Sequence, residues 1–201
     1  MTGTLVERKR AEIIGAALKV FSEKGYHAAR IEDIATELGI GHGTFYRYFR
    51  NKLDIFQGVL DWILEKAREL VHDVDPRSPD TLEEYRAQLE EIGDRMFALF
   101  KAYPEMSRIL FYEAMGINDP DLQEKIRAAY NWIGKLTELY LINGKEKGYI
   151  RQDLRTWETA LAINAALFEA CRRVVSSEDP DREVAVWKEV IIELMLRGIA
   201  A

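Results

Sequence analysis

The chain has 201 residues, 48% hydrophobic and 31% charged, with a formal net charge of −6 and one cysteine. This balance allows one or two domains with a buried core and excludes a wholly basic nucleic-acid coat. A single cysteine excludes an intrachain disulfide and fits a reducing cytoplasm. The charge is uneven, because residues 1–52 carry nine cations against six anions. A basic head on an acidic body points the head at phosphate.

No strand alternation stands out, and helical spacing predicts an all-α chain. The polar start Met1–Arg10 lacks the form of a leader, and no apolar run approaches the ~20 residues of a membrane helix. The first helix is expected over about Glu7–Lys24, with Ile14, Ala17, Leu18 and Phe21 inward and Gly25 as its stop. The second spans about Ile31–Leu38 and ends at Gly39. The third spans about Thr44–Phe49, with Phe45 and Phe49 one turn apart in a three-helix core. Asn51 can cap a fourth helix reaching about Asp73, its buried stripe running from Leu53 and Phe56 to Val71.

The prolines of Asp75–Asp80 mark a loop. Thr81 and Glu84 open a helix carrying Met96 and Phe100. Pro104 begins a short helix to about Met115, and a long one follows over about Asp121–Lys147, closed by Gly148. The last two helices are expected over about Thr156–Val175 and Asp181–Gly198, separated by Ser176–Pro180.

Two short helices joined by a glycine-marked turn form the layout of a helix-turn-helix, whose second helix enters the DNA major groove. If Phe45 and Phe49 point inward, Thr44, Tyr46, Arg47 and Tyr48 occupy the other faces. Burying those hydroxyls and a guanidinium without partners costs several kcal/mol, so they are expected to face phosphate oxygens or base edges. The competing reading makes Tyr46 and Tyr48 ordinary half-buried aromatics and Arg47 and Arg50 a solvated face. Gly41 and Gly43 allow close backbone approach around His42. Lys52, at the start of the fourth helix, places an ammonium and free N–H groups where a phosphate is favoured.

The stretch Gly39-Ile-Gly-His-Gly-Thr-Phe-Tyr-Arg-Tyr-Phe-Arg-Asn-Lys-Leu-Asp-Ile-Phe56 resembles the N-terminal signature of the TetR (tetracycline-repressor) family of bacterial transcription regulators. Ala16-Ala-Leu-Lys-Val-Phe-Ser-Glu-Lys-Gly-Tyr26 and Ile31-Glu-Asp-Ile-Ala35 fit it too, so the close resemblance covers about residues 9–56. It implies a DNA-binding domain over 1–52 and a helical effector-binding and dimerisation body over 53–201. It further implies a homodimer, a palindromic double-stranded operator, and release by a small effector. By motif, Thr44, Tyr46, Tyr48 and Lys52 would mainly contact phosphate, with His42, Gly43 and Arg47 nearest base edges. Arg30 stands where the family usually has a capping Ser or Thr; it can reach phosphate by charge but cannot cap. Gly41 replaces a commoner Ser, Ala or Lys.

The terminal helices suit a two-fold four-helix interface, where the resemblance also places dimerisation. The expected contacts are Trp187, Val190, Ile191 and Leu194, with Leu161, Ala165 and Phe168 opposite; the alternative is that these stripes close the monomer's own core. Large adaptable side chains in the middle of the chain, among them Met96, Phe100, Phe111, Tyr112, Tyr130 and Phe168, can line an apolar effector pocket. Tyr112, Arg127, Asn131 and Asn164 are its possible polar handles, and Asn164, among apolar neighbours, most needs a partner.

The Gly39-x-Gly41-x-Gly43 run follows a helix rather than a strand, so it fails as a nucleotide loop. His27, His42 and His72 are too scattered for a metal site, and no cofactor is expected. The expectation is a cytoplasmic repressor, on the nucleoid when bound to DNA, and not an enzyme. A regulator whose effector promotes DNA binding, or a helical adaptor with a protein partner, remains as the alternative.

Overall fold

Thr4 opens the first helix. Its hydroxyl accepts the N–H of Glu7 at 3.2 Å, and the Glu7 carboxylate accepts the N–H of Thr4 at 2.7 Å, which satisfies two orphan donors reciprocally. The computed structural model describes residues 4–201; the expectation for the polar start falls partly on residues 1–3, outside the described residues. The described residues form α1 (Leu5–Lys24), α2 (Ile31–Leu38), α3 (His42–Phe45), α4 (Lys52–Glu69), α5 (Leu82–Ala102), α6 (Glu105–Arg108), α7 (Pro120–Lys147), α8 (Thr156–Val175) and α9 (Pro180–Ile199). A π-helical turn, Ile109–Glu113, and a 3-10 turn, Ala114–Gly116, follow α6. Among the described residues there is no strand, only an isolated antiparallel bridge between Ile150 and Ala200.

The chain divides into two compact units, Met1–Ala67 with Pro104–Gln123, and Arg68–Tyr103 with Glu124–Ala201. The first has a core of Ile13, Ala17, Phe21, Ile34, Phe45, Phe49, Phe56 and Val59, joined by Met106 and Ile109 from the later segment. Phe21 meets Phe56 edge-on, with ring centroids 5.3 Å apart, an arrangement that adds to area burial. Gly58 lies under Phe49, where a Cβ would come within 3.1 Å of the ring.

Asn51 caps α4 as the sequence predicts, its Oδ1 accepting the N–H of Asp54 at 2.9 Å. Three boundaries differ from expectation. α3 is regular only to Phe45, after which 46–48 tighten into turns, with Tyr48 N–H reaching Phe45 O at 2.9 Å. α4 ends at Glu69 rather than Asp73. The helix expected after Pro104 winds from α to π to 3-10 within a dozen residues.

In the second unit Thr81 caps α5 by accepting Glu84 N–H at 3.2 Å, and Asp179 caps α9 by accepting Arg182 N–H at 3.2 Å. Tyr140 donates to Gln88 Oε1 at 2.9 Å, and Asn143 donates to the carbonyl of Pro79 at 2.8 Å, tying α7 to α5 and the loop before it. Cys171 is fully buried. Burial pushes its thiol up to about 12, so it behaves as a small apolar residue rather than a reactive one.

Candidate nucleic-acid interface

The turn between α2 and α3 is a left-handed stop. Gly39 has φ 63°, and the N–H of Ile40 reaches back to Ala35 O at 3.0 Å, the pattern that closes a helix on a glycine. Arg30, at the N-cap of α2, makes no side-chain cap, as expected. Asp33 compensates by accepting Arg30 N–H at 2.8 Å and Lys24 Nζ at 2.8 Å. The Lys24 ammonium, with that N–H second, holds the Asp33 carboxyl below its usual range. Lys19 and Glu37 make a second link between α1 and α2 at 2.6 Å.

Phe45 and Phe49 are buried to 0% and 1% exposure. Around them His42, Gly43, Tyr46 and Arg47 are exposed, while Thr44 and Tyr48 are half-buried. The hydroxyls and guanidinium therefore turn away from the core, as the cost of burying them requires. Among the described residues Arg47 has no ion pair. His42 has one, its Nε2 lying 3.1 Å from Glu32 Oε1.

Arg10 has a role that the sequence reading missed. It donates to the carbonyl of Tyr48 at 3.0 Å and stacks 4.2 Å over Phe49, fixing the turn after α3 on α1. Spacing gives no hint of this, because the partners are 38 residues apart. Arg50 is held by Asp54, whose Oδ2 accepts the Arg50 N–H at 2.8 Å. That bond first, and the guanidinium second, lower the Asp54 carboxyl.

Lys52 makes contacts in the head that its place at the start of α4 did not suggest. Its ammonium donates to the carbonyls of Tyr26, His27 and Ala29 at 2.7, 3.1 and 3.0 Å. An ammonium has three donors, and all three are directed at the turn between α1 and α2, so the side chain clamps that turn. The same turn is held by Glu113, which accepts Tyr26 N–H at 2.7 Å. At Gly25, φ 80°, a Cβ would stand 3.2 Å from the Glu113 carboxylate. Sequence offers no signal for that pairing across 87 residues.

In the second unit the expected dimer contacts divide. Val190 and Leu194 are exposed, Leu194 to 68%, and so are Leu161 and Ala165. Ile191 is 7% exposed, and Trp187 is half-buried with its indole N–H on Glu183 at 3.0 Å. Ile191 therefore belongs to the monomer's core, and Val186, 47% exposed, joins Val190 and Leu194 at i, i+4, i+8 on the open face.

Of the expected pocket residues, Met96 and Phe100 on α5 are buried, and Tyr130 meets Phe168 edge-on at 5.6 Å. Asn164 is 7% exposed and accepts from Thr137 Oγ1 at 2.9 Å. Phe111 and Tyr112 belong to the first compact unit. Tyr112 is also mostly exposed. Arg127 is exposed and pairs with Glu124, and Asn131 is exposed. No group of three or more His, Cys, Asp or Glu among the described residues could hold a metal. No helix among them is long and apolar enough to cross a membrane.

Residues 13–59 match the family profile described as "Bacterial regulatory proteins, tetR family". An HTH-type transcriptional repressor of Streptomyces coelicolor is 30% identical over 144 residues, covering 72% of this chain and 68% of that one. The fatty acid metabolism regulator protein of Bacillus subtilis is 24% identical over 194 residues, 95% of each. The fold is also similar to that of the transcriptional regulator FadR of Bacillus subtilis, solved in complex with stearoyl-CoA. That likeness has a TM-score of 0.77 at 23% identity and covers 94% of this chain and 98% of that one.

Proposed function

Since the chain belongs to the TetR family of bacterial regulatory proteins, and is a DNA-binding transcriptional regulator rather than an enzyme, we propose that it acts as a cytoplasmic homodimeric repressor. A small hydrophobic effector releases it from a palindromic operator. The observation that carries the DNA-reading part is the exposed row around buried Phe45 and Phe49. Thr44, Tyr46 and Tyr48 offer hydroxyls to phosphate, and Arg47, His42 and the backbone at Gly43 face base edges. Arg30 adds charge at the start of α2. Residues 1–52 form the DNA-binding domain, with the effector and the dimer partner bound within 53–201.

The exposed apolar stripe Val186–Val190–Leu194 on α9, with Leu161 and Ala165 on α8, supports dimerisation there. The apolar set Met96, Phe100, Tyr130 and Phe168, and the stearoyl-CoA bound in the FadR structure of similar fold, support an effector with a long hydrocarbon part. Release is a population shift, so the effector must prefer the state whose two heads are wrongly spaced for the half-sites.

The test is a mobility-shift titration on the intergenic DNA beside the gene, against random DNA at physiological salt. A preference of about a thousandfold or more is expected of an operator reader. Tyr46→Phe should weaken binding to all sequences, and Arg47→Ala should relax preference at particular bases. If both variants bind every probe like the wild type, the docking reading is wrong.

A further inference from the structure

Helices α7 and α8 run antiparallel, as their contacts show. Tyr130 meets Phe168, Gly134 lies against Trp157 and Leu161, Thr137 meets Asn164, and Glu138 accepts from Thr156 at 3.2 Å. Among the described residues of this seam, Asn164 carries the fully buried side-chain donor that has no partner. It is nine-tenths buried, and its Nδ2 has no partner.

Turning the amide over does not remove the deficit. Thr137 has one hydroxyl proton and two acceptors in reach, Ile133 O at 3.2 Å and Asn164 Oδ1 at 2.9 Å. If the hydroxyl donates to Oδ1, both amide N–H groups are left over. If the amide is reversed, one N–H goes to Thr137 Oγ1, the hydroxyl turns to Ile133, and one N–H still remains. A buried donor left unmade is costly, and here it survives in either orientation. Its helical neighbours are apolar: Ala160 one turn before and Phe168 one turn after. Phe168 is covered by Tyr130, which lies two turns before Thr137 on α7.

We propose that Asn164 is the donor that reads a carbonyl oxygen on an otherwise apolar effector, the acyl carbonyl of a long-chain thioester. This rests on the reading that the second unit binds such an effector. The Asn164 N–H takes the carbonyl oxygen, Thr137 holds the amide in orientation, and the hydrocarbon chain lies along the Tyr130–Phe168 side of the seam. A molecule of the same length without the oxygen leaves the donor unmade and binds more weakly.

The experiment compares lauroyl-CoA with S-dodecyl-CoA, which differ in that oxygen, by calorimetric titration of the full chain. The wild type should bind the thioester about tenfold more tightly. Asn164→Leu should erase the difference, while its unliganded thermal midpoint stays the same or rises, because an unmade donor has been removed. Thr137→Val, which cuts the contact between α7 and α8 but keeps the donor, should retain a preference. Equal binding of the two probes by the wild type, or a preference that survives in a folded Asn164→Leu, overturns the inference and leaves the effector reading standing. Failure of both probes to bind overturns the acyl effector itself and the inference with it. The wild-type ratio needs no variant, so a misfolded Asn164→Leu does not shield the proposal.

Discussion

Replacing Lys52 by methionine separates a turn clamp from a phosphate contact. The substitution keeps the length of the stem and removes the ammonium that bridges Tyr26, His27 and Ala29 at 2.7–3.1 Å. Hydrogen bonds to a charged group contribute about 1.5–3 kcal/mol each, but three from one ammonium are not additive and are partly open to water. A total loss of about 3 kcal/mol is the reasonable scale. With a urea slope of about 1–3 kcal/mol per molar, the unfolding midpoint should fall by about 1–3 M at fixed protomer concentration. A phosphate contact makes a different forecast. Each neutralised phosphate contributes about 0.9 to the slope of log affinity against log salt, so a dimer losing one per head would lose about 1.8. The clamp reading expects that slope to stay the same, measured by fluorescence anisotropy below the unfolding range. A variant of undiminished stability whose salt slope drops by about two would refute it.

On the α9 face, Leu194→Glu should convert the dimer to monomers in sedimentation velocity, because a carboxylate enters an apolar contact. Ile191→Ala should instead cost about 2–4 kcal/mol in stability without changing the mass observed; a Leu194→Glu variant that stays dimeric would move the interface elsewhere. The head should also weaken in acid. Asp33 and Asp54 are both held below their ordinary range, so their contribution is complete above the unfolded value near pH 3.9 and is lost as pH falls through the lower folded values. Thermal unfolding attributable to them should be flat between about pH 7 and 5 and fall below about pH 4, and Asp54→Asn should remove part of that fall. An unchanged acid profile in Asp54→Asn would mean that its charge contributes nothing.

What could be read from the chain depended on range. Helix limits set by local chemistry were legible to within a residue or two: Gly25 after α1, Gly39 after α2, Asn51 before α4, Thr81 before α5, Gly148 after α7. The inward pair Phe45 and Phe49 followed from helical spacing, and the exposure of Tyr46 and Arg47 followed from the cost of burying them. What failed was the assignment of long polar side chains. Nothing local distinguishes the exposed Arg47 from Arg10, bound to a carbonyl 38 residues away, or from Lys52, spent on a turn 23 to 26 residues earlier. On α9 the apolar residues cover more than one face, so the pattern could not say which of Val186, Val190, Ile191 and Leu194 close the monomer's core.

The division into compact units carries a mechanistic consequence that the linear split at residue 52 hides. Pro104–Gln123 is remote in sequence, yet it folds with the head. It supplies the Glu113 carboxylate that holds Tyr26 N–H, while Lys52 from the start of α4 holds the carbonyl side of the same turn. An anion on the Tyr26 N–H and a cation on three carbonyls fix the turn between α1 and α2 from two directions, and that turn sets α2 against α1. Moving α4 or the π-helical segment by even an ångström must therefore strain one or more of these four charge-assisted bonds or carry the turn along. Interiors this closely packed yield by switching between arrangements rather than by stretching. The head therefore moves as one rigid piece with α4 and the π-helical segment, which is what the release proposed above needs of it.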